Sequence, residues 1–185
     1  LDHSHTTTTT HYTLKLLQFD NCLCYGENNI INFTQLNNKS VIINAPNGFG
    51  KSALYEIICY AIYGETIPSR ISKKYSASFI NFKSTKATTS ITFTINNVDY
   101  TIKRTFKRNE NSLKIAESIL SFENSTNISG IKAIEKWLTD NLGTLQDFLK
   151  TSMITQDFDY SFLHLDPKNI KKFIDDRINL NSIIK

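Results

Sequence analysis

The chain of 185 residues is poor in several residue types, with three Cys, three Pro, six Gly, one Met and one Trp. Three Cys make an odd number for a disulfide framework, and Cys22-x-Cys24 without a second nearby pair lacks zinc-finger spacing. That usage fits a reducing, intracellular compartment, cytoplasm or nucleus. Scarce Gly and Pro, set beside 40% hydrophobic and 11% aromatic residues, exclude collagenous, low-complexity and disordered classes. No apolar run is longer than a few residues, so a membrane-spanning helix is not expected, and the N-terminus lacks the basic-then-apolar pattern of an export signal. Charge of one sign is also sparse. Lys+Arg 21 against Asp+Glu 17 leaves +4, which permits a nucleic-acid partner without demanding one.

What is present follows a clear order. Leu1 opens the chain in place of Met, and His3, His5 and His11 flank a run of Thr; this reads as an internal or processed end. With no carboxylate or Cys cluster beside them, these His fit a tail or edge strand better than a metal site. Leu14, Leu16 and Leu17 predict a strand, and Ile30, Ile31 and Phe33 a second. Val41, Ile42 and Ile43 form an unbroken apolar run, the pattern of a strand buried on both faces. A helix from Lys51 follows, with Leu54, Ile57, Ile58, Ala61 and Ile62 on one side and Gly64 as its stop. Residues 65–87 read as a long surface connection. I-T-F-T-I and V-D-Y-T-I around Asn96-Asn97 predict a hairpin. Ser129 is positioned to cap a helix carrying Ile131, Ile134, Trp137, Leu138 and Leu142 before Gly143, and a short helix holds Leu145, Phe148 and Leu149. Ser152 to Ile154 suits a strand. After Pro167, Ile170, Phe173, Ile174 and Ile178 begin a helix that is still running at the end of the chain, as at the root of a longer helix or coiled coil.

The chemistry concentrates at 45–52, A-P-N-G-F-G-K-S, between the apolar strand and the apolar-faced helix. Strand, Gly-containing loop and helix together make a phosphate loop, whose backbone N–H groups point inward while the helix N-terminus adds its positive dipole end. Asn47, Gly48, Phe49, Gly50, Lys51, Ser52 and Ala53 form the candidate nucleotide-binding set. Lys51 supplies an ammonium for the β and γ phosphates, and the Ser52 hydroxyl a ligand for Mg²⁺. Ala45 stands where the usual first Gly would be, a substitution without strain as long as its φ is negative.

With A-I-Y-G-E at 61–65, F-D-N-C-L-C-Y-G at 19–26 and Y-T-I-K-R at 100–104, the chain resembles the N-terminal lobe of SbcC ATPases, the SMC-related proteins of DNA double-strand-break repair and their phage counterparts. L-G-T-L-Q-D-F at 142–148 and T-Q-D-F-D-Y-S-F-L-H-L-D-P at 155–167 extend the resemblance, which runs from about residue 12 to 180. It implies an α/β fold: a P-loop NTPase of the ABC-type head, its N-terminal lobe built from a mixed sheet, a phosphate-loop helix and a β-hairpin. Residues 1–11 would be a flexible lead, 12–166 the lobe and 167–185 the start of a coiled coil. Gln156 matches the family's Q-loop Gln, which addresses Mg²⁺ and the attacking water, with Asp157 in place of the usual Gly. Lys51 and Gln156 are the implied catalytic residues, Ser52 and Gln156 the metal ligands, and ATP and Mg²⁺ the cofactors. Signature motif, metal Asp and catalytic Glu would lie in a C-terminal head lobe of the same protein. Implied partners are that lobe, a second head, an SbcD-type nuclease and DNA.

Lys103, Arg104, Lys107 and Arg108, with Lys83 and Lys86 nearby, are the candidate DNA-backbone contacts, weighed against a solvated charged face. Two other functions fit some of the same residues. A small kinase for a nucleoside or metabolite needs only a phosphate loop, although it usually places that loop on its first strand. A non-catalytic, nucleotide-gated dimerisation module would differ in never turning over ATP.

Overall fold

Asn96 and Asn97 adopt φ of 48° and 66°, the two left-handed positions of a type I′ turn, whose twist matches the strands it joins. In the computed structural model, which describes residues 12–36, 39–65, 77–109, 112–122, 126–152 and 166–178, this turn links the predicted hairpin. Its strands are the third and fourth of a sheet made of β1 (Tyr12–Asp20), β2 (Asn29–Asn32), β3 (Lys86–Ile95), β4 (Val98–Asn109), β5 (Ser112–Phe122) and β6 (Ile128–Ser129). The order is β2-β1-β3-β4-β5-β6. Every pairing among the described residues is antiparallel, so there the sheet is antiparallel rather than the expected mixed one.

Strict alternation gives the sheet two unlike faces. Ala87, Thr89, Ile91, Phe93 and Ile95 of β3 are buried, as are Ile102, Arg104 and Phe106 of β4. Helices α1 (Ala53–Tyr63) and α2 (Ile131–Asn141) pack against the sheet, α1 on β3 and β4 and α2 on β5. Tyr60 of α1 stacks at 3.8 Å between centroids on Phe79, which meets Phe106 edge-on at 5.0 Å. On α2, Ile134 and Leu138 are buried, and Trp137 lies 4.9 Å from Tyr100. Gly130, at φ 95°, occupies the N-cap of α2 in place of Ser129, which pairs in β6 with Ile119. Within 65–87, read as surface connection, Ala77, Phe79 and Ile80 are buried; the aromatic ring has more to gain under α1 than in water.

Val41, Ile42 and Ile43 depart furthest from expectation. They form no strand and are 55%, 92% and 54% exposed. A strand needs a neighbour for its backbone groups, and among the described residues nothing pairs with 41–46.

The chain divides into two compact units, one spanning His11–Leu142 and the other including Gly143–Lys185. In the second, α3 (Leu145–Thr151) starts with a capping box: the Thr144 hydroxyl accepts from the Asp147 amide while the Asp147 carboxylate accepts from the Thr144 amide. Ser152 follows as its C-cap, and the rest of the expected strand, 153–154, lies outside the described residues. The helix expected after residue 166 is α4 (Pro167–Ile178), entered through Asp166, whose carboxylate accepts from the Asn169 amide at 2.9 Å.

Candidate functional site

The loop at 45–52 is held in its curl by two glycines and one lysine. Gly48 and Gly50 take φ of 86° and 84°, a region costly to any residue with a Cβ. Gly50 is also closed in by packing, because a Cβ there would run into the Cys24 sulfur and within 3.2 Å of the Tyr25 ring. Ala45 is not among the residues of positive φ, so its methyl adds no strain. The Lys51 ammonium reaches back across the loop to the carbonyls of Ala45, at 2.5 Å, and Pro46, at 2.9 Å. Phosphate oxygens would compete with those carbonyls for the same donor.

The donors are equally informative. Phe49 gives its amide to Pro46 O and Ala53 gives its own to Gly50 O, which spends Ala53 on the loop's internal structure. Among the described residues, the amides of Gly48, Gly50, Lys51 and Ser52 take no backbone acceptor. They sit at the start of α1, two residues later than the predicted helix start. Ser52 is the N-cap, yet its side chain makes no cap hydrogen bond, leaving the hydroxyl for a ligand. Free amides, an ammonium and a hydroxyl at a helix N-terminus fit a nucleotide's phosphates with Mg²⁺. When bound, the metal would neutralise charge between the β and γ phosphates. Asn47 and Phe49 are exposed, Phe49 by 69%.

Tyr25 is a neighbour that sequence reasoning missed. Its hydroxyl donates to Gly50 O at 3.1 Å, and burial, then the adjacent Cys24, raise its pKa so that it stays a donor. The turn carrying it is fixed by Leu23 N donating to Phe79 O, Asn81 N to Asn21 O and the Asn81 side chain to Tyr25 O. Left-handed Asn21, Leu23 and Asn28, all with φ between 54° and 61°, mark this turn as tightly constrained. Two Asn inside the C-L-C-Y-G neighbourhood were the only local signal. Gln156 and Asp157 lie outside the described residues.

The four candidate DNA contacts divide by face. Lys103 and Lys107 are exposed, and Lys107 stands directly opposite Lys86 on β3 and Lys114 on β5, giving three ammonium groups in one cross-strand row. Thr88, Thr92, Thr101 and Thr105 share this face, where a depression of about 430 Å³ is lined in part by Gln18, Ser90, Lys103 and Glu117. Arg104 borders this depression but is 1% exposed, and its guanidinium donates into the covered side, to Ala61 O, Ile62 O and the Ser118 hydroxyl, so it is withdrawn as a DNA contact. Arg108 is half-buried and donates to the carbonyls of Ile80 and Asn81, at 2.9 and 3.3 Å, which ties down the 77–84 segment.

Among the described residues there is no group of three or more His, Cys, Asp or Glu suited to a metal, and no helix long and apolar enough to cross a membrane. Cys22 and Cys59 are buried free thiols, their pKa pushed up to about 12 by burial.

The sequence model of a family described as an AAA domain matches residues 16–184. An uncharacterized protein of Acanthamoeba polyphaga mimivirus is 27% identical over 187 aligned residues, which cover 95% of this chain and 14% of that protein. The chain thus spans about a seventh of the length of that curated relative.

Proposed function

Because the chain belongs to the AAA domain family, a family of P-loop nucleotide-binding domains, we propose that it is the ATP- and Mg²⁺-binding N-terminal lobe of an SbcC/SMC-like ATPase acting in DNA double-strand-break repair or recombination. The observation that carries this reading is the loop at 45–52, where Gly48 and Gly50 take positive φ, the amides of Gly48, Gly50, Lys51 and Ser52 have no backbone acceptor among the described residues, and the Lys51 ammonium reaches back to the Ala45 and Pro46 carbonyls. Lys51 and the amides bind phosphates, and Ser52 holds the metal. The exposed Val41–Ile43 run beside the loop supports a C-terminal head lobe as the missing sheet neighbour. The row of Lys86, Lys107 and Lys114 supports DNA-backbone contact. In this reading ATP-driven pairing of two heads controls an SbcD-type nuclease, and Gln156 orients the attacking water.

Titration of the full-length protein with ATP, with circular dichroism as a folding control, tests the core of this proposal. Lys51→Ala should abolish affinity and leave the fold intact; equal affinities would remove the phosphate-loop assignment. Gln156→Ala should lower turnover while leaving nucleotide Kd within about threefold. In this reading a C-terminal head lobe and a second head complete the groups around the γ-phosphate, so residues 1–185 alone should show negligible ATPase activity. Robust turnover by the segment, lost in Lys51→Ala, would instead favour a self-sufficient kinase-like enzyme.

A further inference from the structure

A guanidinium buried in a core is costly, and an apolar side chain of similar volume would often serve stability as well or better. Arg104 nevertheless sits between Ile102 and Phe106 on the covered face of β4, 1% exposed. Burial pulls its pKa down to about 10, and Glu135 and Glu65 act on it only as more distant charges that oppose this. Its hydrogen bonds go elsewhere. Nε donates to Ala61 O at 3.2 Å, Nη2 to Ile62 O at 2.7 Å, and Nη1 to the hydroxyl of the buried Ser118 on β5 at 2.8 Å. Ala61 and Ile62 lie in the last turn of α1, where carbonyls have no helical partner and the dipole is negative. Gly64, which ends the helix at φ 73°, is closely surrounded: a Cβ there would lie 2.9 Å from Ile115 Cδ1 and 3.1 Å from Arg104 Nη1.

The other end of the same 11-residue helix begins directly after Lys51 and Ser52. A helix of that length is about 16 Å long and stiff, so its seat at one end sets the position of the loop at the other. From this geometry we infer that Arg104 is a positioning residue for the phosphate loop, clamping the C-terminal end of α1 to strands β4 and β5 so that Lys51 and the loop amides are held where phosphates bind. It touches no ligand itself. The inference rests on the phosphate-loop reading and adds to it a residue about 50 positions away, whose charge is used inside the protein.

The test measures nucleotide affinity in the full-length protein beside thermal stability. Arg104→Met should weaken ATP binding about tenfold, a size typical of coupling through a packed element. Arg104→Lys, which keeps a cation at the helix end, should recover part of that loss. Phe93→Ala serves as the control, since that ring packs on Tyr100 and Trp137; it should lose at least as much stability and bind ATP like the parent. A purely structural role predicts that affinity follows melting temperature in all three. If Arg104→Met does not fold, Ser118→Ala decides, with about threefold weaker binding expected from losing the Nη1 acceptor. Arg104→Met or, in its place, Ser118→Ala binding within experimental error of the parent, or Phe93→Ala losing as much affinity as Arg104→Met, would overturn the inference. Lys51→Ala separates the two levels: if it binds ATP like the parent, the phosphate-loop reading falls and this one with it, whereas its loss of binding beside an unaffected Arg104→Met removes the positioning role alone.

Discussion

The two faces of β4 put cations to opposite uses. On the open face Lys103 and Lys107 stand in solvent, and Lys107 has like charges directly across from it on both neighbouring strands. On the covered face Arg104 is enclosed by apolar neighbours and donates from Nε, Nη1 and Nη2 into the fold. Face, rather than proximity along the chain, therefore decides what a charge can do. The covered cation is bound to a helix end and unavailable to any partner. The open ones repel one another by an amount comparable to a cross-strand pair energy, and a polyanion laid across them would relieve that repulsion.

The comparison is sharpest where removal should cost most. Phe106 is fully buried two residues beyond the clamp, against Tyr60 and Phe79. Phe106→Ala should lower stability by about 3–5 kcal/mol in urea denaturation. A loss under ~1 kcal/mol would mean the covered face collapses around the cavity and is less closely packed than described.

Which residues share a face depends on register, and Asn96-Asn97 sets it. A one-residue slip would bring Arg104 to the open side and the lysines to the core. Asn97→Val, forcing a β-branched residue to φ 66°, should cost about 1–2 kcal/mol, while Asn97→Gly should be neutral or better. Equal stability of the two variants would show that the strands hold their register without the turn.

On the open face the expected change in stability is smaller and of opposite sign. Lys107→Thr should leave stability unchanged or raise it by about 0.2–1 kcal/mol, since it removes like-charge contacts with Lys86 and Lys114. If this row contacts DNA as proposed, the salt dependence of duplex binding should lose about one unit of slope. An unchanged slope would assign DNA binding to another surface.

Several of these features were legible in the sequence because the physics is local. The hairpin carries its turn chemistry and its alternation within 17 residues of β3, turn and β4 up to Ile102. The phosphate loop needs only Gly positions and a following helix. Arg104 was readable too, since I-K-R-T-F alternates Ile102, Arg104 and Phe106 onto one face; counting basic residues along the chain hid this. Strand β5 was obscured by its own irregularity. Its pairing shifts between Thr105 and Phe106, so that Glu117 and Ile115 follow each other as partners and Ala116 is skipped, which breaks the period of two. Val41–Ile43 failed for a different reason: an apolar run states that a strand can be buried, and only a neighbour makes it one. Tyr25 against Gly50 is a contact across 25 positions with no sequence pattern of its own.

The smallest effect belongs to the open face's one ion pair among the described residues, Lys15 with Asp99 at 2.8 Å. The hydrogen bond from Lys15, then that from Thr94, lowers the Asp99 pKa below the usual carboxylate range, with the ammonium's charge adding to both. The folded state therefore favours the ionised form, and the stabilisation is complete above the unfolded carboxylate pKa of about 3.9 and is lost as pH falls through the lower folded value. Both side chains are more than a third exposed, at 39% and 37%, so water and salt screen most of the attraction. Asp99→Asn should cost under about 0.5 kcal/mol at pH 7 and low salt, less at 1 M salt, and nothing measurable once Asp99 is protonated in the parent. Denaturation midpoints of the two proteins compared across pH 2–7 would check this. A difference that persists undiminished at the acid end would show that the carboxylate acts as a hydrogen-bond acceptor for Thr94 rather than as a charge, and that the open face is held by its threonines more than by its ions.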